Sequence, residues 1–508
     1  MTRVIGTASL LVFLALLLLS PMAYAKDPEE RKWIELASEN FRLYSALKEK
    51  ESIEMLRQLE TFHRVISLVA NISTAESPIP TEIYVMRGSK DFHRVGAPKS
   101  AGGIFVPGMR RNLIIMRDVA GADEVPIIVH EYAHFLLGGH SSLNYPRWFN
   151  EGLAEYVSAP QERPGLFVVG AVQEGRVNTM SWYRWLTVRE VIDPQDMTDW
   201  TREQRMMFYT TSWALVHYLH HGPNRETLSQ DLGNYIELLN AGVGNVEAFE
   251  EAFNVSVDEL DKTVREYFGE RDAGVRTIPG YVLKIDDIIP DFEVVTRSMA
   301  KGEISLALGV AALRLGELQE ARRLFTNAVE NPETRAAAEA GIGDTYKFED
   351  DFATALPYFE RAIELAPQDP YLQLDMAEYW HDRAEKTEDD EQRREYIATA
   401  RKRYGIAWRL DNTMPETYAM YGRTFLLEGD KPDKAVEMLE NAEALLPSNV
   451  GIRLSLAEAY AAVGERDKAA KAARSVLAWL HGNTEAENKA REILEDSQED
   501  VGFAWEAN

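Results

Sequence analysis

Residues 341–367 read GIGDTYKFEDDFATALPYFERAIELAP, and the spacing of Gly343, Tyr346, Ala355, Phe359, Ala362 and Pro367 within them returns through the C-terminal half of the chain. Gly309, Ala321 and Ala328 precede their counterparts Gly343, Ala355 and Ala362 by 34 residues each. A third copy runs Ala377, Trp380, Ala400, Tyr404 and Ala407, lengthened in the acidic stretch Thr387-Glu388-Asp389-Asp390. A fourth has Gly422, Ala435, Leu439, Ala442 and Pro447, and a fifth has Ala457, Tyr460, Ala469, Ala473 and Val476. Alanine-rich helices alone have no reason to keep a fixed period, so the unit that repeats is larger than one helix.

Small side chains at fixed positions let two antiparallel helices approach. Aromatic side chains fill the space between units, and a proline stops the second helix. Period and residue types together resemble the tetratricopeptide repeat. The resemblance implies an all-α solenoid of about five repeats over residues 301–495, with Glu485 to Leu494 as a capping helix, and a surface that binds a protein partner.

Residues 26–275 follow another grammar. Asn40-Phe41-Arg42-Leu43-Tyr44 alternates as a strand does, and Ser52 to Val69 carries apolar side chains at helical spacing. Thr81 to Met86 reads as a second strand, and a polar helix follows around Asp91. Gly102 to Arg117 reads as a hairpin that turns near Gly108. Helices dominate after Pro126, which gives an α+β domain. Thr277-Ile278-Pro279-Gly280 and Ile289-Pro290 mark residues 276–300 as a linker.

The chemistry concentrates in Val129-His130-Glu131-Tyr132-Ala133-His134-Phe135-Leu136. Positions four apart share one helix face, so His130 and His134 can both aim an imidazole at one metal ion. Glu131 then lies beside the remaining coordination position, where it can take a proton from a metal-activated water. A second motif follows, Trp148-Phe149-Asn150-Glu151-Gly152-Leu153-Ala154-Glu155-Tyr156.

An HExxH helix followed by W-x-N-E-G-x-A on another helix is similar to the gluzincin metallopeptidases, and most of all to the peptidase MA-like proteins. The resemblance implies a gluzincin-like (thermolysin-like) catalytic domain and makes Glu151 the third metal ligand. The 16 residues between His134 and Glu151 are fewer than in the zinc aminopeptidases, so their exopeptidase specificity is not carried over. Two histidines, a carboxylate and no thiol favour Zn2+. Glu155 lies one turn past Glu151 and is expected to orient His130, because metal-bound imidazoles usually give their second ring nitrogen to a carboxylate. The exchange of those two roles stays open. Similarity to zinc aminopeptidases also makes Tyr209 a candidate donor to the oxyanion, against ordinary packing with Met206, Trp213 and Val216. His217, His220 and His221 are expected at a solvated helix end, and His140, in a glycine-rich loop, has no assigned role.

The resemblance implies zinc-dependent hydrolysis of a polypeptide substrate. Two alternatives are an inactive metallopeptidase-like domain on an interaction scaffold and a hydrolase of non-peptide amides. Charge narrows the partners: 55 basic against 82 acidic residues leave −27, which repels phosphate backbones, so nucleic acid is not expected. The chain has no cysteine, hence neither a disulfide nor a lipid-modified cysteine. Arg3, the apolar run Leu10 to Leu19, Pro21 and Ala23-Tyr24-Ala25 read as a signal peptide over residues 1–25, cut before Lys26. An uncleaved anchor is the other reading. Without Arg3 the mature charge is 54 − 82 = −28. With no later segment apolar enough to span a bilayer, the protein is expected to be exported, periplasmic or secreted.

Overall fold

The computed structural model describes residues 27–499 apart from 71–78, 119–124, 140–144, 172–179, 195–199, 270–280, 285–287, 289–293, 480–484 and a few shorter gaps. The expected signal segment and His140 lie outside the described residues. No helix among those described is long and apolar enough to cross a membrane.

The N-terminal half contains strands β1 (Ile34–Ala37), β2 (Phe41–Ser45), β3 (Thr81–Met86), β4 (Gly103–Val106), β5 (Asn112–Arg117), β6 (Gln161–Arg163) and β7 (Leu166–Val169), followed later by β8 (Tyr281–Lys284) and β9 (Val295–Ser298). Its helices are α1 (Glu49–Ala70), α2 (Ser89–Arg94), α3 (Val125–Gly139), α4 (Arg147–Val157), α5 (Val188–Ile192), α6 (Arg202–His221), α7 (Arg225–Asn240), α8 (Asn245–Phe253) and α9 (Val257–Gly269). Six strands form a mixed sheet in the order β4-β5-β3-β2-β1-β9. β2, β3 and β5 are parallel, and the outer pairings are antiparallel. A second sheet has the order β6-β7-β8.

Every residue of β3 is buried, as expected of a central strand covered on both faces. Ile83 and Val85 join Ile114 and Met116 in a core with α1, α3, α4 and α6. Tyr84 and Met86, with Leu113 and Ile115, point the other way into a second core. That second core is closed by Ile304, Leu308, Ala312, Leu324 and Phe325 of the C-terminal half.

The C-terminal half is built of helical pairs: α10 (Lys301–Arg314) with α11 (Leu318–Ala328), α12 (Arg335–Lys347) with α13 (Phe352–Leu365), and α14 (Pro370–Lys386) with α15 (Asp390–Leu410). Two more pairs follow, α16 (Pro415–Glu428) with α17 (Pro432–Leu445) and α18 (Val450–Ala462) with α19 (Arg466–Trp479), before the last helix α20 (Glu485–Glu499). The recurring glycine has a packing cause. A Cβ at Gly309 would lie 2.6 Å from the Phe325 ring, and one at Gly343 would lie 3.0 Å from Phe359. In these two pairs only glycine lets the second helix lay its aromatic ring against the first, and in the fourth pair Gly422 makes the same room for Leu439.

One expectation is corrected here. Residues 276–300 are not a linker throughout, because β8 pairs with β7 and β9 pairs with β1. β9 satisfies the outer edge of β1, Met299 N donates to Trp33 O at 3.1 Å, and α10 starts two residues later. The start of the array is tied to the sheet for that reason. Ion pairs reinforce it: Arg94 meets Asp27 and Glu320, and Arg323 meets Glu29.

Candidate metal centre

α3 is fixed from beneath by buried Val129, Ala133, Leu136 and Leu137. The Tyr132 hydroxyl also meets His63 Nδ1 of α1 at 2.8 Å. That anchoring turns the opposite face of α3, with His130 and His134, toward α4. On α4 the buried Trp148, Leu153, Tyr156 and Val157 face the core, and Trp148 Nε1 donates to the Tyr235 hydroxyl at 3.2 Å. Glu151 and Glu155 are left on the face that meets α3.

Three donor atoms converge. His130 Nε2 and His134 Nε2 are 3.1 Å apart. Glu151 Oε2 stands 3.4 Å from the first and 3.2 Å from the second. Ligand atoms of a tetrahedral zinc with bonds of about 2.1 Å lie about 3.4 Å from one another, so this donor set fits the ion in chemistry and in spacing. These three residues are the group of metal-ligating side chains found among the described residues.

The electrostatics agree. Burial disfavours charge on His130, yet Glu151, Glu155 and Glu131 outweigh it and raise its pKa. Burial likewise opposes ionisation of Glu151, but hydrogen bonds and charge from the two histidines hold it down to about 2. The pocket favours positive charge between the two helices.

Glu155 takes the other side of His130: its Oε1 faces Nδ1 at 3.9 Å, an ion-pair distance longer than a hydrogen bond. Glu131 lies next to His130 on α3, partly exposed. Tyr209 is also brought in. α6 begins at a capping box made by Thr201 and Gln204 and packs on α4 at Gly152, where a Cβ would lie 2.5 Å from Ser212 O. That close approach sets half-buried Tyr209 within the field of Glu151 and Glu155. Burial first, then those carboxylates, push its hydroxyl pKa up, while a hydrogen bond with Arg147 opposes them.

Arg147 is the residue that sequence reasoning missed. It stands four positions before Glu151 and eight before Glu155, so helix periodicity alone puts it on their face. Its guanidinium also lies 5.7 Å from the centroid of the Phe208 ring.

The three histidines of α6 do not form a solvated helix end. His217 is buried with Nδ1 3.4 Å from the Tyr267 hydroxyl, and His221 Nε2 lies 2.6 Å from the Tyr156 hydroxyl. His220 stacks on the same tyrosine with ring centroids 5.2 Å apart. Aromatic side chains from α4 and α9 pack on this end, leaving His217 buried and His220 and His221 only partly exposed.

Two family models described as Tetratricopeptide repeat match the sequence, at residues 340–369 and 426–493. The C-terminal half contains tetratricopeptide repeats within a helical solenoid. Among solved structures, a thermophilic tetratricopeptide-repeat protein of Thermus thermophilus is 23% identical, with 38% of this chain and 99% of that one covered at a TM-score of 0.34. PilF of Pseudomonas aeruginosa is 16% identical over 41% and 93%, with a TM-score of 0.32. MamA from Desulfovibrio magneticus is 16% identical over 40% and 98%, with a TM-score of 0.27. No curated protein matches the chain.

The array approaches α4, which carries Glu151. A cavity of about 950 Å³ is bounded by Arg147, Trp148 and Val243 on one side and by Arg453, Leu456 and Lys471 of the fifth repeat on the other.

Proposed function

We propose that the N-terminal domain is a zinc-dependent peptide hydrolase of the gluzincin type that acts on polypeptide outside the cytoplasm, and that the tetratricopeptide repeats engage protein. The observation that carries this reading is the convergence of His130, His134 and Glu151, with donor atoms 3.1, 3.2 and 3.4 Å apart. The signal-like first 25 residues support export.

Held by His130, His134 and Glu151, a zinc ion would supply Lewis acidity for polarising a carbonyl and lowering the pKa of water. Glu131 accepts the proton of the attacking water and passes it to the leaving nitrogen. Glu155 holds the orientation of His130. Tyr209 keeps its proton and donates it in a hydrogen bond to the carbonyl oxygen as charge grows there, with Arg147 fixing the hydroxyl. β4, an edge strand beside α3, offers backbone groups with which an extended peptide can pair. A second reading, an inactive metallopeptidase-like domain on an interaction scaffold, draws on the family matches, which lie in the repeats alone.

The test is Glu131→Gln in the mature chain, which removes the proton acceptor and keeps volume and ligands. Zinc content near one per chain and the melting temperature should both persist. Cleavage of denatured protein should fall about a hundred- to ten-thousand-fold. Near-normal cleavage by the variant would refute the role of Glu131. A zinc-loaded wild type that cleaves nothing would select the second reading.

A further inference from the structure

The turn joining β4 to β5, residues 107–111, leaves the sheet and enters the inner face of the repeat array. Arg110 ends among three carboxylates, each facing a different guanidinium nitrogen. Nη1 donates to Asp375 Oδ1 at 2.6 Å, Nε donates to Glu416 Oε2 at 2.7 Å, and Nη2 lies 3.6 Å from Glu378 Oε1. Asp375 and Glu378 come from α14 and Glu416 from α16, the first helices of repeats three and four. The Tyr371 ring flanks the guanidinium with its centroid 5.6 Å away. Beside it Met109 packs on a small apolar cluster that includes Ala419, Ala442 and Ile452. The concave face that such arrays use for binding is therefore filled by the chain itself.

The groove carries more negative charge than its occupant neutralises. Lys347 of α12 meets Asp344, Glu378 and Asp382 at 3.3, 3.6 and 3.5 Å. Five carboxylates thus face three cations, Arg110, Lys347 and Arg314, the last within the field of Glu416 and Glu378, a formal surplus of two. Arg314 also donates to Pro107 O of the turn at 2.7 Å, and Arg111 is tied to Glu82 at 3.1 Å. Burial raises the pKa of both Asp344 and Glu378. A planar fork meets three carboxylates at once, which an ammonium cannot do.

We propose that the inner face of repeats two to four is a receptor for an arginine-bearing extended segment, occupied in the resting chain by the turn that carries Arg110, and that a partner presenting such a segment binds by displacing this turn. The tethered turn competes at an effective concentration that an external segment must overcome, so the groove has low apparent affinity until the turn is weakened.

The test uses the full mature chain and an acetylated, amidated octapeptide copying residues 106–113, titrated by calorimetry. Arg110→Ala should bind the peptide at least ten-fold more tightly than the wild type. A peptide with alanine in place of the arginine that copies Arg110 should not bind, and adding Asp375→Asn to Arg110→Ala should abolish binding. In the wild type, excess peptide should speed hydrogen exchange across residues 103–117. Equal affinity of wild type and Arg110→Ala, or equal binding of the arginine and alanine peptides, overturns the proposal. If Arg110→Ala does not fold, Arg110→Lys decides. It keeps the charge without the fork and should bind more tightly than the wild type, and wild-type affinity there overturns the proposal as well.

Discussion

Tyr156 follows Glu155 on α4 and is held by His220 and His221, whose rings stack on it. Burial holds both imidazoles down to about 4, with His221 adding to the effect on His220 and Arg225 to that on His221. Between pH 4 and 6.5 the folded chain binds fewer protons at these sites than the unfolded chain. The stability they confer is complete above the unfolded value near 6.5 and is lost as pH falls through 4. A shift of that size corresponds to at most about 3 kcal/mol per histidine. His220→Phe keeps the stacked ring and removes the titration, so its melting temperature should fall less than the wild type's from about pH 7 to about pH 4. Parallel slopes for the two proteins would remove the histidine from the account. His130 and His134 were legible because helical spacing is a local property that needs only a period of about 3.6, whereas Glu131 came from the motif and Glu151, on another helix, from the resemblance alone. The histidines of α6 were misread for the opposite reason. A run of polar rings at a helix end looks solvated until Tyr156 and Tyr267 arrive from other elements.

At the scale of elements, the contact between α4 and α6 decides whether Tyr209 reaches the metal site. Gly152 makes that contact possible, since a Cβ there would lie 2.5 Å from Ser212 O and 2.7 Å from a Val216 methyl. Backbone cannot retreat as a flexible side chain can. Gly152→Ala should therefore lower stability by about 1–3 kcal/mol, the usual effect of overpacking. Zinc at the proposed site should still bind, because Glu151 lies on the face of α4 that meets His130 and His134 of α3. A melting temperature equal to that of the wild type would show that α6 sits less tightly than described. Strand legibility followed burial. β2, β3 and the β4–β5 hairpin showed themselves through apolar residues that must face a core. β9 reads Val-Thr-Arg-Ser over residues 295–298 and is mostly exposed, so nothing in its pattern announces a strand. It forms because the edge of β1 supplies hydrogen-bond partners, and a sequence does not display that edge.

For the whole molecule, the sheet has a helical cover on each face, and one cover is the first repeat pair. Tyr84, Met86, Leu113 and Ile115 would lie open to water without α10 and α11, and Leu308, Leu324 and Phe325 would lie open without the sheet. The turn bearing Arg110 and the contact of Ile79 with Ala442 and Leu446 add ties farther along the array. Two independently folded halves should melt in two steps. A shared core predicts one cooperative transition in calorimetry, with the helical and aromatic signals lost together. A separate early transition that removes helix while the aromatic signal of Trp33 and Tyr84 survives would contradict it.

The pairing of β9 with β1 also sets a timetable. Glu35 and Arg297 meet across the sheet from positions 262 residues apart, so the first strand made waits for nearly the last segment of its domain. At a synthesis rate of about 5–20 residues per second, that wait is on the order of tens of seconds. During that interval the N-terminal strand has an unpaired edge and the central strand an uncovered face. Contacts so distant in sequence fold slowly, so the domain closes only once nearly all of it has been made.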